Sequence, residues 1–226
     1  MNAYADKHVW IIGASSGIGR ALAVELAAQG AALALSARNK DKLHALNGEL
    51  GGGHVVLPLD VADAQAFEAA AKAVQDAFPR LDSAIFMAAV YNPSSLENLD
   101  VEDARQTVDI NLNGAFNAVH AVLPILKKQG AGQLALCASV AGYRGLPNAQ
   151  PYGATKAAMI NLAESLHIEE RGLDVKVINP GFVRTPLTDK NDFKMPMIID
   201  PKEAAKIIAR ELQTGRFEIH FPKRFT

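Results

Sequence analysis

Val9-Trp10-Ile11-Ile12-Gly13-Ala14-Ser15-Ser16-Gly17-Ile18-Gly19 is the stretch on which the fold is decided. Its first four residues form an apolar run of strand length, and residues 20–29 repeat apolar side chains at helical spacing. Between the two, the glycines allow a tight turn and close approach of backbone. The first N–H groups of the helix lack partners within it, and together with the helix dipole they attract an anion such as a pyrophosphate. Gly30 is expected to close the helix as its C-cap. The spacing is Gly-x-x-x-Gly-x-Gly rather than the Gly-x-Gly-x-x-Gly fingerprint of dinucleotide sites. Taken alone, such a loop also suits an ordinary strand-to-helix turn.

The rest of the chain continues that unit. Strand-like apolar runs at 9–12, 32–36, 55–59, 84–88, 133–138, 175–179 and 217–221 alternate with helical stretches at 17–29, 64–78, 101–128, 152–170 and 201–213. Such alternation predicts an α/β fold, a single-domain doubly wound parallel sheet of Rossmann type with helices on both faces and right-handed crossovers. Ligands of such sheets bind beyond the carboxyl ends of the strands. The glycine loop, Ser139 and Pro180-Gly181 are expected to converge there.

Tyr152 and Lys156 stand four residues apart in Pro151-Tyr152-Gly153-Ala154-Thr155-Lys156, with Ser139 ending an apolar run thirteen residues before Tyr152. On a helix, positions four apart share a face, so the ammonium would lie beside the phenol. A phenol has an ordinary pKa of about 10, too high for proton transfer near neutrality. A neighbouring ammonium favours the phenolate. A fall of about 3 units, worth roughly 4 kcal/mol, is within reach of Lys156 and a nicotinamide cation acting together. The bland alternative is a packed phenol beside a solvated ammonium, since such pairs are common on helices.

Together these residues resemble the short-chain dehydrogenase/reductase family, over most of the chain from Trp10 to Thr185. The resemblance places the family's catalytic Asn, Ser, Tyr and Lys on Asn111, Ser139, Tyr152 and Lys156. It implies Tyr152 as general acid/base, Lys156 lowering its pKa and holding the nicotinamide ribose, Ser139 positioning the substrate oxygen, and Asn111 holding a relay water. For Asn111 a buried amide bonded to helix backbone is the equal alternative. The implied cofactor site comprises Gly13, Ser15, Ser16, Gly17, Ile18, Gly19, Arg38, Asp60, Val61, Ala88, Tyr152, Lys156, Pro180, Gly181 and Thr185.

Two positions depart from the family pattern. Ile12 stands where Thr is usual, and Phe86-Met87-Ala88-Ala89 replaces Asn-Asn-Ala-Gly. If the apolar replacements face one another across neighbouring strands, losing both polar partners is nearly neutral, whereas losing one strands a buried group at about 1–3 kcal/mol. In the family register, the residue that would offer a carboxylate to a ribose 2′-hydroxyl is Ala37, and Arg38 follows it. A guanidinium suits a 2′-phosphate, so the expected cofactor is NADP(H) rather than NAD(H). The alternative for Arg38, Lys40 and Lys42 is a solvated helix start.

Composition narrows the function classes. The chain has 226 residues, 49% of them hydrophobic, and a net charge of -1, which gives no reason to expect nucleic acid or an anionic membrane as partner. Cys137 is alone, so no internal disulfide forms, and it is expected to be a buried, inert thiol. The six histidines show no ligand spacing, and no metal is expected. No run approaches the roughly 18 apolar residues of a membrane span, and the first strand starts too soon after Met1 for a signal segment. A cytoplasmic location is therefore expected.

Residues 186–200 are expected to form the substrate loop, with Phe193, Met195, Met197 and Ile198 as an apolar lid or as anchors to the core. A lipophilic ketone or aldehyde is the expected substrate. The resemblance also implies a homodimer or homotetramer paired through 101–128 and 152–170, where Ala154, Ala157, Ala158, Leu162 and Leu166 serve either the interface or the core. The run 221–226 reads as a docking tail or a frayed end. A non-catalytic NADP(H)-sensing binding protein is the alternative function, and it has no need of Ser139, Tyr152 and Lys156 in register.

Overall fold

The structure, a computed structural model, describes residues 3–223. Seven parallel strands form one sheet: β1 His8–Ile12, β2 Ala32–Ala37, β3 Val55–Pro58, β4 Ser83–Phe86, β5 Gln133–Cys137, β6 Asp174–Pro180 and β7 Glu218–Phe221. Their order is β3-β2-β1-β4-β5-β6-β7. The helices are α1 Gly17–Ala28, α2 Lys40–Glu49, α3 Ala64–Ala77, α4 Val101–Val108, α5 Gly114–Gln129, α6 Tyr152–Glu169 and α7 Pro201–Glu211.

Side chains alternate between the faces of a strand, and here both faces are covered. Trp10, Ile12, Phe86, Leu134 and Val177 pack with Phe67 of α3, Val122 of α5 and Met159 of α6. Ile11, Leu35, Ile85 and Ile219 pack on the other face with Leu22 of α1, Leu43 of α2 and Ile208 of α7. Burial on both faces explains why the strands read as continuous apolar runs rather than alternating ones. Polar exceptions include Ser36 on β2, fully buried, whose Oγ accepts the Trp10 Nε1–H at 2.8 Å. Ser36→Ala would leave that indole donor without a partner, at a cost of about 1–3 kcal/mol.

Local signals fix the helix starts. The carboxylates of Asp63, Asp100 and Asp200 and the amide of Asn39 accept first-turn N–H groups of α3, α4, α7 and α2. α1 differs, because the side chain of its N-cap Ser16 makes no such bond. Gly30 lies one position beyond the C-cap Gln29, with φ +93, and its N–H returns to the Ala27 carbonyl.

Four expectations need correction. Residues 101–128 are not one regular helix: a π-helical turn at Asp109–Asn113 separates α4 from α5. Only Leu43 and Leu46 of α2 are buried, so its apolar stripe was too thin to mark a helix. Ile12 pairs in register with Phe86 rather than Met87, and Ile12 and Met87 pack on opposite faces of the sheet. Ile12 and Met87 therefore do not face each other, while Phe86, the other apolar replacement, sits opposite Ile12 on the same face. Of the run 221–226, Phe221 is a buried strand residue, and residues 224–226 lie outside the described residues.

Candidate active site

A cleft of about 320 Å³ opens beyond the carboxyl ends of the central strands. It is lined by Gly13, Ser15, Ser16, Gly17, Ile18, Arg38, Val61 and Ala88 and by Ser139, Tyr152, Lys156, Pro180, Gly181 and Thr185, with Thr185 beside the glycine loop, where a Cβ on Gly17 would stand 3.3 Å from the Thr185 Cγ2. Gly13 has φ +104, and a Cβ there would stand 2.6 Å from the Ala88 nitrogen. Only glycine permits that meeting of the β1 and β4 ends.

Three predicted residues do not line the cleft. A Cβ on Gly19 would stand 2.2 Å from the Gly13 carbonyl oxygen, so Gly19 serves the packing of α1 behind the loop. Asp60 is exposed, and its carboxylate accepts the Ala62 N–H at 3.1 Å, shaping the turn that carries Val61. Asn111 is fully buried in the π-helical turn. Its Oδ1 accepts the Val90 N–H at 2.8 Å, and its Nδ2 donates to the Val90 carbonyl at 2.9 Å and to Thr155 Oγ1 at 3.2 Å. Both amide protons are spent on protein partners, so the Asn111 side chain clamps the segment after β4.

Lys156 and Tyr152 share a face of α6 as their spacing predicts. The Lys156 Nζ is buried and donates to the Cys137 carbonyl at 2.7 Å, and it lies 5.4 Å from the centroid of the Tyr152 ring. Ser139 is held by the Ala141 N–H, which donates to its Oγ at 3.1 Å, and its hydroxyl donates to the Pro180 carbonyl at 3.5 Å.

The chain's own groups, without the nicotinamide cation that the expected fall includes, push the phenol the other way. Burial, above all, pushes the Tyr152 phenol well above its ordinary range; Cys137 adds to the rise, Ser139 opposes it, and Tyr91 adds again. Burial likewise pulls Lys156 down, with Cys137 opposing. Lys156 therefore does not lower the phenol through the chain alone, and Tyr152 carries its proton at neutral pH. Burial raises the Cys137 thiol too, with Lys156 opposing, which leaves it a weak nucleophile.

Sequence reasoning missed Tyr91. Its ring centroid lies 5.0 Å from that of Tyr152, tilted by 59°. The Tyr91 hydroxyl donates to Asn191 Oδ1 at 2.9 Å, and its carbonyl accepts from Lys190 Nζ at 2.7 Å. No local pattern marks it, because its partners stand about 100 residues away. Of the expected lid residues, Phe193 and Met197 are exposed and none lines the cleft. Phe193 rests edge-on against Phe182, with centroids 5.8 Å apart.

The donor set fits a dinucleotide. The uncapped start of α1 turns its free N–H groups towards the glycine loop, where an anion satisfies them. Among the described residues, Arg38 and Lys156 are the charged side chains lining the cleft, and no carboxylate lines it. Arg38 is exposed at the β2 end and makes no hydrogen bond or ion pair among the described residues.

Residues 7–195 match the family described as short chain dehydrogenase. An uncharacterized oxidoreductase of Myxococcus xanthus (strain DK1622) is 35% identical over 94% of this chain and 86% of its own. The 2-dehydro-3-deoxy-L-rhamnonate dehydrogenase (NAD(+)) of Sphingomonas sp. (strain SKA58) is 34% identical over 83% of this chain and 76% of its own. The crystal structure of levodione reductase superposes with a TM-score of 0.86 at 28% identity, over 96% of each chain.

Proposed function

The chain belongs to the short-chain dehydrogenase/reductase family of oxidoreductases, which act with a nicotinamide cofactor on small molecules, and from that premise we propose that it is an NADP(H)-dependent enzyme interconverting a carbonyl and an alcohol. The observation that carries this reading is the cleft itself, with Ser139, Tyr152 and Lys156 together at one end, unpaired Arg38 at the other, and no lining carboxylate.

The bound cofactor supplies or accepts the hydride. The remaining work falls to the chain. In carbonyl reduction Tyr152, protonated at neutral pH, donates its phenolic proton to the substrate oxygen, and the Ser139 hydroxyl orients that oxygen. Lys156 holds the nicotinamide ribose, and its charge favours the phenolate that proton transfer leaves behind. Gly13, Ser15, Ser16, Gly17 and Ile18 present backbone to the pyrophosphate, Val61 borders the adenine from the turn that Asp60 shapes, and Ala88, Pro180, Gly181 and Thr185 complete the wall. Arg38 pairs with the 2′-phosphate, a contact that a ribose 2′-hydroxyl cannot replace.

The same reading takes residues 1–226 as one catalytic unit with 186–200 as its substrate loop. Val90 and Leu187 in the lining, and Tyr91 behind it, make the substrate end largely apolar, which favours a lipophilic ketone or aldehyde. Copies would pair as a homodimer or homotetramer through α5 and α6, where Phe116, Ala154, Ala157 and Ile168 are exposed while Leu166 is buried in the core. No helix among the described residues is long and apolar enough to cross a membrane, and a cytoplasmic setting suits an enzyme drawing on NADPH.

Matched steady-state kinetics with NADPH and NADH, across aldehydes and ketones of increasing chain length, test the proposal. Higher kcat/KM with NADPH and with longer apolar substrates is expected. A preference for NADH would overturn the cofactor assignment, and better turnover of small polar carbonyls would overturn the substrate class.

A further inference from the structure

The segment after β4 is tied from two sides. On one side Asn111 grips both the N–H and the carbonyl of Val90, and its amide also reaches Thr155 Oγ1, which donates to the Tyr152 carbonyl at 2.7 Å. On the other side the Tyr91 hydroxyl and carbonyl engage Asn191 and Lys190 in the substrate loop. Lys190 also bonds the Asn92 side chain, which in turn donates to Asp103 on α4. Between the two anchorages the buried Tyr91 ring lies against the ring of Tyr152. Elsewhere the 186–200 loop is held at its edges, through the Thr185–Thr188 bonds and the pairing of Val183 with Ile199, and by the Phe193 ring against Phe182.

We propose that Tyr91 is a positioning residue: its ring fixes the Tyr152 phenol and walls it from water, while its hydroxyl fastens the substrate loop, so one side chain couples the seating of that loop to the aim of the proton donor. The inference rests on Tyr152 being that donor. Two separate parts of Tyr91 serve the two tasks, and substitution separates them. Tyr91→Phe keeps the ring and the carbonyl that Lys190 holds, and removes the hydroxyl's bond to Asn191. Tyr91→Leu removes the ring as well, and with it part of the burial that holds the phenol protonated.

The groups that face the Tyr152 phenol are Lys156 on its own helix, Cys137 and Ser139 at the end of β5, and Tyr91, which itself sits near Asp192. Reduction needs protonated Tyr152, so its rate holds below the phenol's pKa and falls above it. Water admitted by Tyr91→Leu lowers that pKa towards the ordinary value, which moves the alkaline fall to lower pH.

Two measurements decide the matter. In hydrogen exchange on the whole protein, Tyr91→Phe and Asn191→Ala should each speed exchange across 186–200 about tenfold while the β-strands keep their protection. Unchanged exchange in both variants would overturn the fastening. In kinetics Tyr91→Phe should raise KM several-fold and leave the alkaline limb in place, whereas Tyr91→Leu should lower kcat about tenfold and shift that limb down. Equal pH profiles for Tyr91→Leu and the parent, with both folded, would overturn the positioning role. Tyr152→Phe is the control: if it turns over like the parent, the assignment of the donor has failed, while the exchange data still decide whether Tyr91 fastens the loop.

Discussion

At one end of the cleft Gly13 approaches Ala88 so closely that a Cβ would stand 2.6 Å from its nitrogen. At the other end Tyr91 and Asn191, which are 100 residues apart in sequence, meet through their side chains. The first region is built from backbone, and the second from side chains that the fold brings together. Backbone constraints leave a mark at the residue that bears them, because only glycine tolerates the conformation and the contact. Side-chain pairs leave none, since neither tyrosine nor asparagine is required by its own local structure.

The sharpest test contrasts two glycines with positive φ, Gly13 at +104 and Gly53 at +81, where a Cβ meets nothing within 4 Å at Gly53. Gly13→Ala adds a backbone clash to the conformational strain and should cost at least about 3 kcal/mol, together with loss of nucleotide binding; Gly53→Ala should cost about 1 kcal/mol and leave binding intact. Chemical denaturation and nucleotide titration read both. Similar losses at the two positions would show that close approach is not what makes Gly13 necessary.

Asn111→Ala should come next, because it leaves the Val90 N–H and carbonyl without their partners, each at about 1–3 kcal/mol. The effect should appear in denaturation and as a raised KM, since Val90 carries Tyr91. A smaller change is expected for Arg38→Ala, where losing a charged contact worth about 1.5–3 kcal/mol should weaken NADPH binding 10- to 100-fold with NADH binding little altered. Equal weakening of both nucleotides would remove Arg38 from cofactor choice. Phe193→Ala should be the mildest, about 0.5–1.5 kcal/mol from the lost ring contact with Phe182. A large fall in kcat for that variant would restore the lid that the exposure of Phe193 argues against.

Much of this was legible in the chain. The order strand, glycine turn, helix set the architecture, and strand runs matched the sheet because strands buried on both faces are apolar throughout. The spacing of Tyr152 and Lys156 placed them on one face of α6, as found. The ionisation of Tyr152 was not legible: an ammonium four residues away suggests a lowered pKa, but the Lys156 Nζ donates to the Cys137 carbonyl and burial dominates the phenol. Asn111 was visible as a residue but not as a clamp, since that depends on a π-helical turn no apolar period announces. α2 escaped because two buried leucines make too narrow a stripe.

The central claim is that Tyr152 gives the proton, and single-turnover NADPH oxidation with a reducible carbonyl tests it most directly when Tyr152→Phe is compared with the parent at equal NADPH occupancy. Loss of a general acid is expected to slow the step about 10²- to 10⁴-fold while NADPH still binds. A Tyr152→Phe variant that oxidises NADPH at the parent rate would contradict the account.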